Sequence, residues 1–151
     1  MQKITPFLWF DDNAEEAVDH YVATFKNSQI LRTTRGPNGK AAVIAFQLEG
    51  QDFIALNGGP HFTFSEAISL HVGCETQDEI DVLWARLTEG GQPGRCGWLK
   101  DKFGVSWQVI PTLLGELLYD PDPARAGRVM QAMLQMNRLD LAALRRAHAD
   151  G

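Results

Sequence analysis

The sequence predicts an α+β fold made of two tandem βαβββ modules followed by C-terminal helices. Two observations support this prediction. The order of one strand, one amphipathic helix and three strands occurs twice, and beyond Pro111 the pattern changes to helix alone. We therefore expect a single domain over 1–151, with module one at 1–60, module two at 66–111 and a helical extension at 112–151.

The first module opens with a strand from Lys3 to Phe10. A helix follows, because apolar residues recur at helical spacing at Ala14, Ala17, Val18, Tyr21, Val22 and Phe25. The candidate N-terminal caps of this helix are Asp11, Asp12 and Asn13. Glycine-rich or short polar turns then separate three predicted strands, at 28–35, 41–50 and 51–57.

The second module repeats this order from Glu66. A strand is predicted at 67–74 and a helix at 76–91, with Thr76 as its cap and Glu79 at the spacing of a capping box. Further strands are predicted at 94–101 and 105–111. Cys74 is expected to be an inert core residue, and the charges of Lys100, Asp101 and Lys102 are interpreted as a solvated turn.

The extension contains a predicted helix at 112–118, a break at 119–127 and a helix at 128–151. Asp122 before Pro123 fits a cap followed by proline at the first helical position. Methionines and leucines follow at broadly helical spacing. We interpret these apolar residues as the side of the helix that packs against a sheet. The alternative is that they form a lid or a dimer interface.

The composition of the chain indicates which kinds of molecule it binds and where in the cell we expect it. The net charge is −5 and basic residues do not cluster, which argues against nucleic acid. Apolar runs are far shorter than a membrane span needs, and the N-terminus has the character of a strand rather than a signal peptide. Only two cysteines occur, Cys74 and Cys96, without a paired motif. We expect a cytoplasmic protein with a small-molecule partner.

Several stretches together resemble one family. "PFLWFDDNAEEAVDHY", "LNGGPHFTFSEAISLHVGCETQDEID", "CGWLKDKFGVSWQVIP" and "AMLQMNRLDLAAL" are similar to the PhnB-like branch of the vicinal oxygen chelate superfamily, which includes glyoxalase I, bleomycin resistance proteins and extradiol dioxygenases. The resemblance implies mixed sheets that curl into a cup, a homodimer, and binding or chemistry inside the cup. The branch often carries the label 3-demethylubiquinone-9 3-methyltransferase. Such an enzyme usually needs a doubly wound parallel sheet with a Gly-rich turn, and this sequence has neither.

Superfamily enzymes hold a divalent metal with four side chains, typically His or Glu. The matching positions here fall near Pro6 or Phe7, at Asn57, at Ser69 and at Gln108. None supplies a conventional ligand, so we expect no bound metal. The alternative is a divalent metal on displaced ligands such as His61, His71 and Glu66, which would make the protein a lyase, isomerase or dioxygenase. A further alternative is the methyltransferase activity that the family label names.

The stretch "FIALNGGPHF" permits three interpretations. A phosphate cradle would need its glycines to open a helix, and an extended segment follows instead. A turn alone, or a turn that also contacts a ligand, remains open. The residues expected to line a largely apolar ligand site are Trp9, Asn57, His61, Phe62, Ser69, His71, Trp98, Trp107 and Gln108.

Each aromatic residue of that set could instead fill the core. We expect a protein that binds a small apolar or aromatic molecule, and whether it also turns that molecule over stays open, so no catalytic residue is assigned. A third interpretation is an interaction module whose cup is filled by its own side chains.

Overall fold

Each module forms its own four-stranded mixed sheet. The structure is a computed structural model that describes residues 2–150. It contains two units, the first reaching to Phe64 and the second starting at Ser65. The strands are therefore divided between two sheets, and the unit boundary falls within the predicted junction between the modules.

The first unit contains one helix and four strands. Their bounds are β1 Phe7–Phe10, α1 Ala14–Thr24, β2 Gln29–Arg35, β3 Ala41–Leu48 and β4 Gln51–Asn57. The strand order is β1-β4-β3-β2, and β1 is parallel to β4 while the other pairs are antiparallel. Buried side chains of α1, including Val18 and Tyr21, and of the sheet, including Ile44 and Phe46, form the core of this unit.

The second unit repeats this arrangement. Its elements are β5 Leu70–Cys74, α2 Gln77–Thr88, β6 Gln92–Pro93, β7 Trp98–Lys100 and β8 Ser106–Pro111. The order is β5-β8-β7-β6, again with the first strand parallel to the last. Thr76 caps α2 as predicted, because its hydroxyl accepts a hydrogen bond from the Glu79 backbone N–H. The α+β fold with a duplicated βαβββ order is thus confirmed.

Three helices form the C-terminal extension: α3 Leu113–Leu118, α4 Pro123–Leu134 and α5 Leu141–Ala149. The helix predicted at 128–151 was wrong in its bounds, since α4 already begins at Pro123 and the chain leaves the helix before Asp140 starts α5. Asp122 and Asp140 each accept a hydrogen bond from a first-turn N–H of their helix. No helix within residues 2–150 has both the length and the apolarity of a membrane span.

Two predicted strands begin later than expected. The first starts at Phe7 rather than Lys3, and the strand of the second module starts at Leu70 rather than at residue 67. Pro6 has no N–H to donate to a ladder, although its carbonyl still accepts from Ile54. The strand predicted at 94–101 shortens to β7, because a turn occupies its first half.

The cap of α1 comes from the end of β4, which is distant in sequence but lies beside the end of β1. Asn13 lies at the N-cap position, but its side chain makes no capping hydrogen bond. Instead, Oδ1 of Asn57 accepts from the Ala14 N–H at 2.9 Å, and Nδ2 of Asn57 donates to the Ala41 carbonyl at 2.8 Å. The amide of Asn57 therefore connects α1, β3 and β4, which local sequence could not show.

A carboxylate and an imidazole tie α5 to the link between α3 and α4. Nε2 of His148 lies 2.7 Å from Oδ2 of Asp120. A backbone hydrogen bond from Asp122 and then the contact with His148 hold the pKa of Asp120 below its usual value. Arg128 also donates to the carbonyls of Ala147 and His148, at the negative end of α5.

We expect Asn57→Ala to lower the free energy of unfolding by about 1–3 kcal/mol, because the buried N–H of Ala14 and carbonyl of Ala41 both lose their partner. Asn13→Ala is the matched control and should have little effect, since Asn13 makes no capping bond. Urea denaturation of both variants measures the difference. Equal losses would contradict the role of Asn57 as the cap.

Asp120→Asn should lower stability at pH 5.5, and the difference from the wild type should shrink as the pH falls. A carboxyl whose pKa is depressed in the folded state stabilises it above the pKa of the unfolded chain, about 4, and this contribution is lost as acid protonates the folded carboxylate. Thermal unfolding from pH 3 to pH 5.5 tests this, with the exposed Asp19→Asn as control. A difference that stays constant over this range would contradict it.

Candidate functional site

The second sheet has one face under α2. On the opposite face, Ile110 packs against the helical extension, and we call the part of that face around Gln108 the open face. Along β8, Trp107 and Val109 are buried and lie on the α2 side. Gln108 lies between them and therefore faces the other way, because successive side chains of a strand alternate. His71 of β5 and Trp98 of β7 are its direct partners on the neighbouring strands. The open face thus places these three predicted site residues in one row.

A hydrogen bond joins Gln108 to a fourth predicted residue. Nε2 of Gln108 donates to the Ser69 hydroxyl at 2.9 Å. In the part of the chain that the structure describes, Oε1 of Gln108 accepts no hydrogen bond and the His71 ring makes none. Ser69, Trp98 and Gln108 are half-buried, and His71 is exposed. The row consequently presents an acceptor oxygen and an imidazole beside an indole.

The next row along the strands holds an ion pair and a buried hydroxyl. Lys100 is the direct partner of Ser106, and its ammonium is paired with the carboxylate of Glu66. The hydrogen bond that the Lys100 ammonium donates within this pair lowers the pKa of the Glu66 carboxyl group. Ser106 is 2% exposed, and its hydroxyl is the buried side-chain group without a hydrogen bond among residues 2–150. The two-residue period of the strands could have shown that 98 and 100 share a face with 106 and 108.

Trp107 is not on the open face. It is 2% exposed, and its Nε1 donates to Oδ2 of Asp101 at 2.9 Å. Asp101 is itself 3% exposed, and its Oδ1 accepts from the backbone N–H groups of Phe103 and Val105. The prediction that Asp101 is a solvated turn charge was therefore wrong, because its carboxylate closes the turn between β7 and β8 from inside the core.

In the first unit, Trp9 and Phe62 lie together. Nε1 of Trp9 donates to the Gly59 carbonyl, and the Phe62 ring meets the indole edge-on with 4.9 Å between ring centroids. The indole lies directly on Gly58, where an added Cβ would come within 2.3 Å of it. Phe62 is 64% exposed. Glycine is thus required at 58 for the close approach of an aromatic ring.

The backbone N–H groups of Gly58 and Gly59 already donate hydrogen bonds within the first unit. The N–H of Gly58 donates to the Phe10 carbonyl and that of Gly59 to the Asp11 carbonyl. This extends the pairing of β1 with β4 beyond Asn57 and leaves neither amide for a phosphate. His61 follows as an exposed residue.

The residues at the four superfamily positions do not fit a divalent metal. Both amide atoms of Asn57 bind backbone groups, and the amide nitrogen of Gln108 binds Ser69. These are neutral groups, whereas hard divalent cations favour carboxylates. Glu66, a displaced ligand in the metal interpretation, is paired with Lys100. Across 2–150 no three His, Cys, Asp or Glu side chains are grouped to hold an ion.

The buried thiol of the second unit is not a nucleophile at neutral pH. Cys74 is fully buried, and this burial, with smaller contributions from Glu79 and Glu75, raises the pKa of its thiol to about 12. A thiol reacts as its thiolate, which is scarce under these conditions. The prediction of Cys74 as an inert core residue is confirmed.

Comparison with known proteins identifies the relatives of this chain. The family model described as 3-demethylubiquinone-9 3-methyltransferase matches residues 2–110. A solved PhnB protein from Bacillus cereus, whose description carries the same methyltransferase name, is 36% identical with a TM-score of 0.70. The match covers 74% of this chain and 100% of that one. Among curated proteins, none matches this chain.

More distant solved structures share the fold. A Pseudomonas aeruginosa protein is 18% identical with a TM-score of 0.61, over 74% of this chain and 98% of that one. The fosfomycin resistance protein FosX from Listeria monocytogenes is 12% identical with a TM-score of 0.53, over 73% and 93% of the two chains. The fold is thus one that fosfomycin resistance and glyoxalase-like proteins share. The match to the family model ends at residue 110, before the C-terminal helices.

Gly58→Ala should displace the Trp9 indole, because the new methyl group would overlap the ring. We expect a loss of about 1–3 kcal/mol in the free energy of unfolding, together with a shift of tryptophan emission that is absent when Trp9→Phe is the background. Gly127→Ala in α4 is the control, since nothing lies within 4 Å of its added Cβ, and it should stabilise the protein by up to about 1 kcal/mol. An unchanged emission in Gly58→Ala would contradict the close contact.

Proposed function

The chain belongs to the 3-demethylubiquinone-9 3-methyltransferase (PhnB-like) family, and we propose that it binds a small, flat, uncharged molecule on the open face of the second sheet, without a resident metal. The observation that carries this proposal is the row of Ser69, His71, Trp98 and Gln108 on that face. The row combines an indole with Oε1 of Gln108 and the His71 ring, which make no hydrogen bond within the described part of the chain. Such a combination is typical of small-molecule sites, which pair apolar walls with a few orienting groups.

The charge distribution supports an uncharged ligand. The ammonium of Lys100, which lies two residues from Trp98 along β7, is already paired with Glu66. An anionic ligand would have to displace this carboxylate, and a cationic ligand would have to displace the ammonium. A neutral ligand needs neither change. Oε1 of Gln108 can accept a hydrogen bond from an amide, imide or hydroxyl group of such a molecule, while Trp98 supplies a flat apolar surface.

The neutral donor set also supports binding without a metal. Superfamily enzymes use the metal as a Lewis acid on substrate oxygens, and the side chains at the corresponding positions here offer no carboxylate or imidazole. A metal-dependent lyase, isomerase or dioxygenase would have to recruit His61, His71 and Glu66. Nothing in the described geometry favours that alternative, since Glu66 is committed to Lys100.

The methyltransferase name of the family is not what we propose for this chain. A doubly wound methyltransferase binds its cofactor at a Gly-rich turn that opens a helix. The residues that precede the described helices are Asn13, Thr76, Thr112, Asp122 and Asp140, and none of them is a glycine.

The predicted homodimer and the predicted cytoplasmic location stay predictions. Met130 and Leu134 on α4 are exposed apolar residues that a dimer could bury.

Gln108→Ala and Trp98→Ala should each weaken ligand binding by about fivefold or more, because a hydrogen bond to a ligand and a stacked aromatic surface are each worth about 1 kcal/mol or more. Ligand-observed NMR with neutral bicyclic aromatic amides finds the probe, and calorimetry measures its affinity. Trp84→Phe is the matched control, because Trp84 lies on α2. Binding that is unaffected by the first two variants would place the ligand elsewhere.

The same protein, purified without chelator, tests the metal state. We expect no stoichiometric manganese, iron or zinc by elemental analysis, and no saturable site on titration with Mn²⁺ or Zn²⁺. About one ion per chain, lost in His61→Ala or His71→Ala, would contradict the proposal and favour the metal-dependent enzyme instead.

A further inference from the structure

We propose that the C-terminal helical extension positions Trp98 on the open face, so that a segment beyond residue 110, where the match to the family model ends, sets the shape of the binding surface. This inference rests on the proposed function, because it assigns to Trp98 the role of a ligand-contacting wall. It concerns the turn Arg95–Gly97, which immediately precedes β7, and the segment Met136–Asp140, which links α4 to α5. We call these the turn and the strap.

Two parallel hydrogen bonds fix the turn to the strap. The N–H of Cys96 donates to the Met136 carbonyl and the N–H of Gly97 to the Asn137 carbonyl, both at 2.8 Å. Cys96 has a φ of +59°, which is uncommon for a residue with a side chain and is maintained only where surrounding contacts impose it. The strap supplies one of those contacts directly.

The opposite side of the turn is fixed to the sheet. The Gly97 carbonyl accepts from the N–H of Val109, and a Cβ at Gly97 would lie 2.8 Å from Ile110 and 3.2 Å from Leu139. Gly97 is therefore enclosed between β8 and the strap, and its φ of +84° excludes most other residues. Movement of the strap would open one side of this enclosure.

Trp98 takes its backbone position from the turn. Its N–H donates to the Arg95 carbonyl, and its own carbonyl accepts from the N–H of Gly94. Arg95 belongs to the turn, and Gly94 immediately precedes it. Because the direction of a side chain follows from its backbone, the turn decides where the indole lies relative to Gln108.

The strap is itself held from two directions. Leu139 is fully buried in a cluster with Leu114, Leu117, Val129 and Leu144 of the three helices. On the other side, Gln77 of α2 donates to the Leu139 carbonyl and accepts from the Leu141 N–H, at 3.0 and 2.7 Å. The extension is therefore joined to α2 and to the turn through the same few residues.

The test uses the full chain labelled with 5-fluorotryptophan, whose four ¹⁹F resonances report Trp9, Trp84, Trp98 and Trp107 separately. Single Trp→Phe variants assign the resonances. Leu139→Ala removes the side chain that packs against Gly97, and Gln77→Ala releases the strap while it leaves the leucine cluster intact. Arg138→Ala is the matched control, since it removes only an exposed ion pair with Asp81 from the same segment.

We expect the Trp98 resonance to shift or broaden in Leu139→Ala and Gln77→Ala, with the Trp9 resonance unchanged and Arg138→Ala like the wild type. Hydrogen exchange at Cys96 and Gly97 should accelerate in the same two variants. Faster exchange with an unchanged Trp98 resonance would overturn the proposal, because the strap would then stabilise the turn without positioning the indole. No change in either measurement would overturn it as well.

If Leu139→Ala does not fold, Gln77→Ala decides the outcome. The ¹⁹F measurement needs no ligand. A failure to find any binding molecule would therefore count against the proposed function alone, whereas an unmoved Trp98 resonance would count against the positioning role alone.

Discussion

The alternation of side chains along a strand decides which residues of this protein can meet a ligand. On β8, Trp107 and Val109 lie under α2, so Gln108 must face the other way, with His71 and Trp98 beside it on the neighbouring strands. A shift of register by one residue would exchange the buried and open sets entirely. The integrity of the open face therefore depends on whatever holds the strands in register.

Asp101 is one of the groups that hold this register. A buried carboxylate is costly unless hydrogen bonds satisfy it. Its oxygens accept hydrogen bonds from Phe103, Val105 and Trp107. The β7–β8 turn, the residue before β8 and a core indole therefore share one acceptor. This arrangement fixes β7 against β8 at one end, and the enclosure of Gly97 fixes it at the other.

The same scaffold separates residues that the chain places close together. Trp107 and Gln108 are neighbours, yet one fills the core and the other faces outward. Asn57 was a candidate for ligand contact, and its amide instead caps α1 and binds β3. The positions that the resemblance matches to the metal ligands of superfamily enzymes include Asn57 and Gln108, whose neutral amides hydrogen-bond other groups of the protein. The surface that remains is suited to hydrogen bonding and stacking.

The sequence by itself determined the duplicated βαβββ order, the cap of α2 at Thr76 and the helical extension, because periodicity and capping are local signals. It also determined that the glycines at 58 and 59 do not open a helix. Only the tertiary structure decided that Asn57 caps α1 and that Glu66 is paired with Lys100, because these partners are distant in sequence and meet only in the folded chain. It also decided that Asp101 is buried, because this depends on how β7 and the Trp107 indole pack around the turn. It likewise decided that Trp98, but not Trp107, joins the open face, because strand bounds must be known to the exact residue before alternation assigns a side chain to a face.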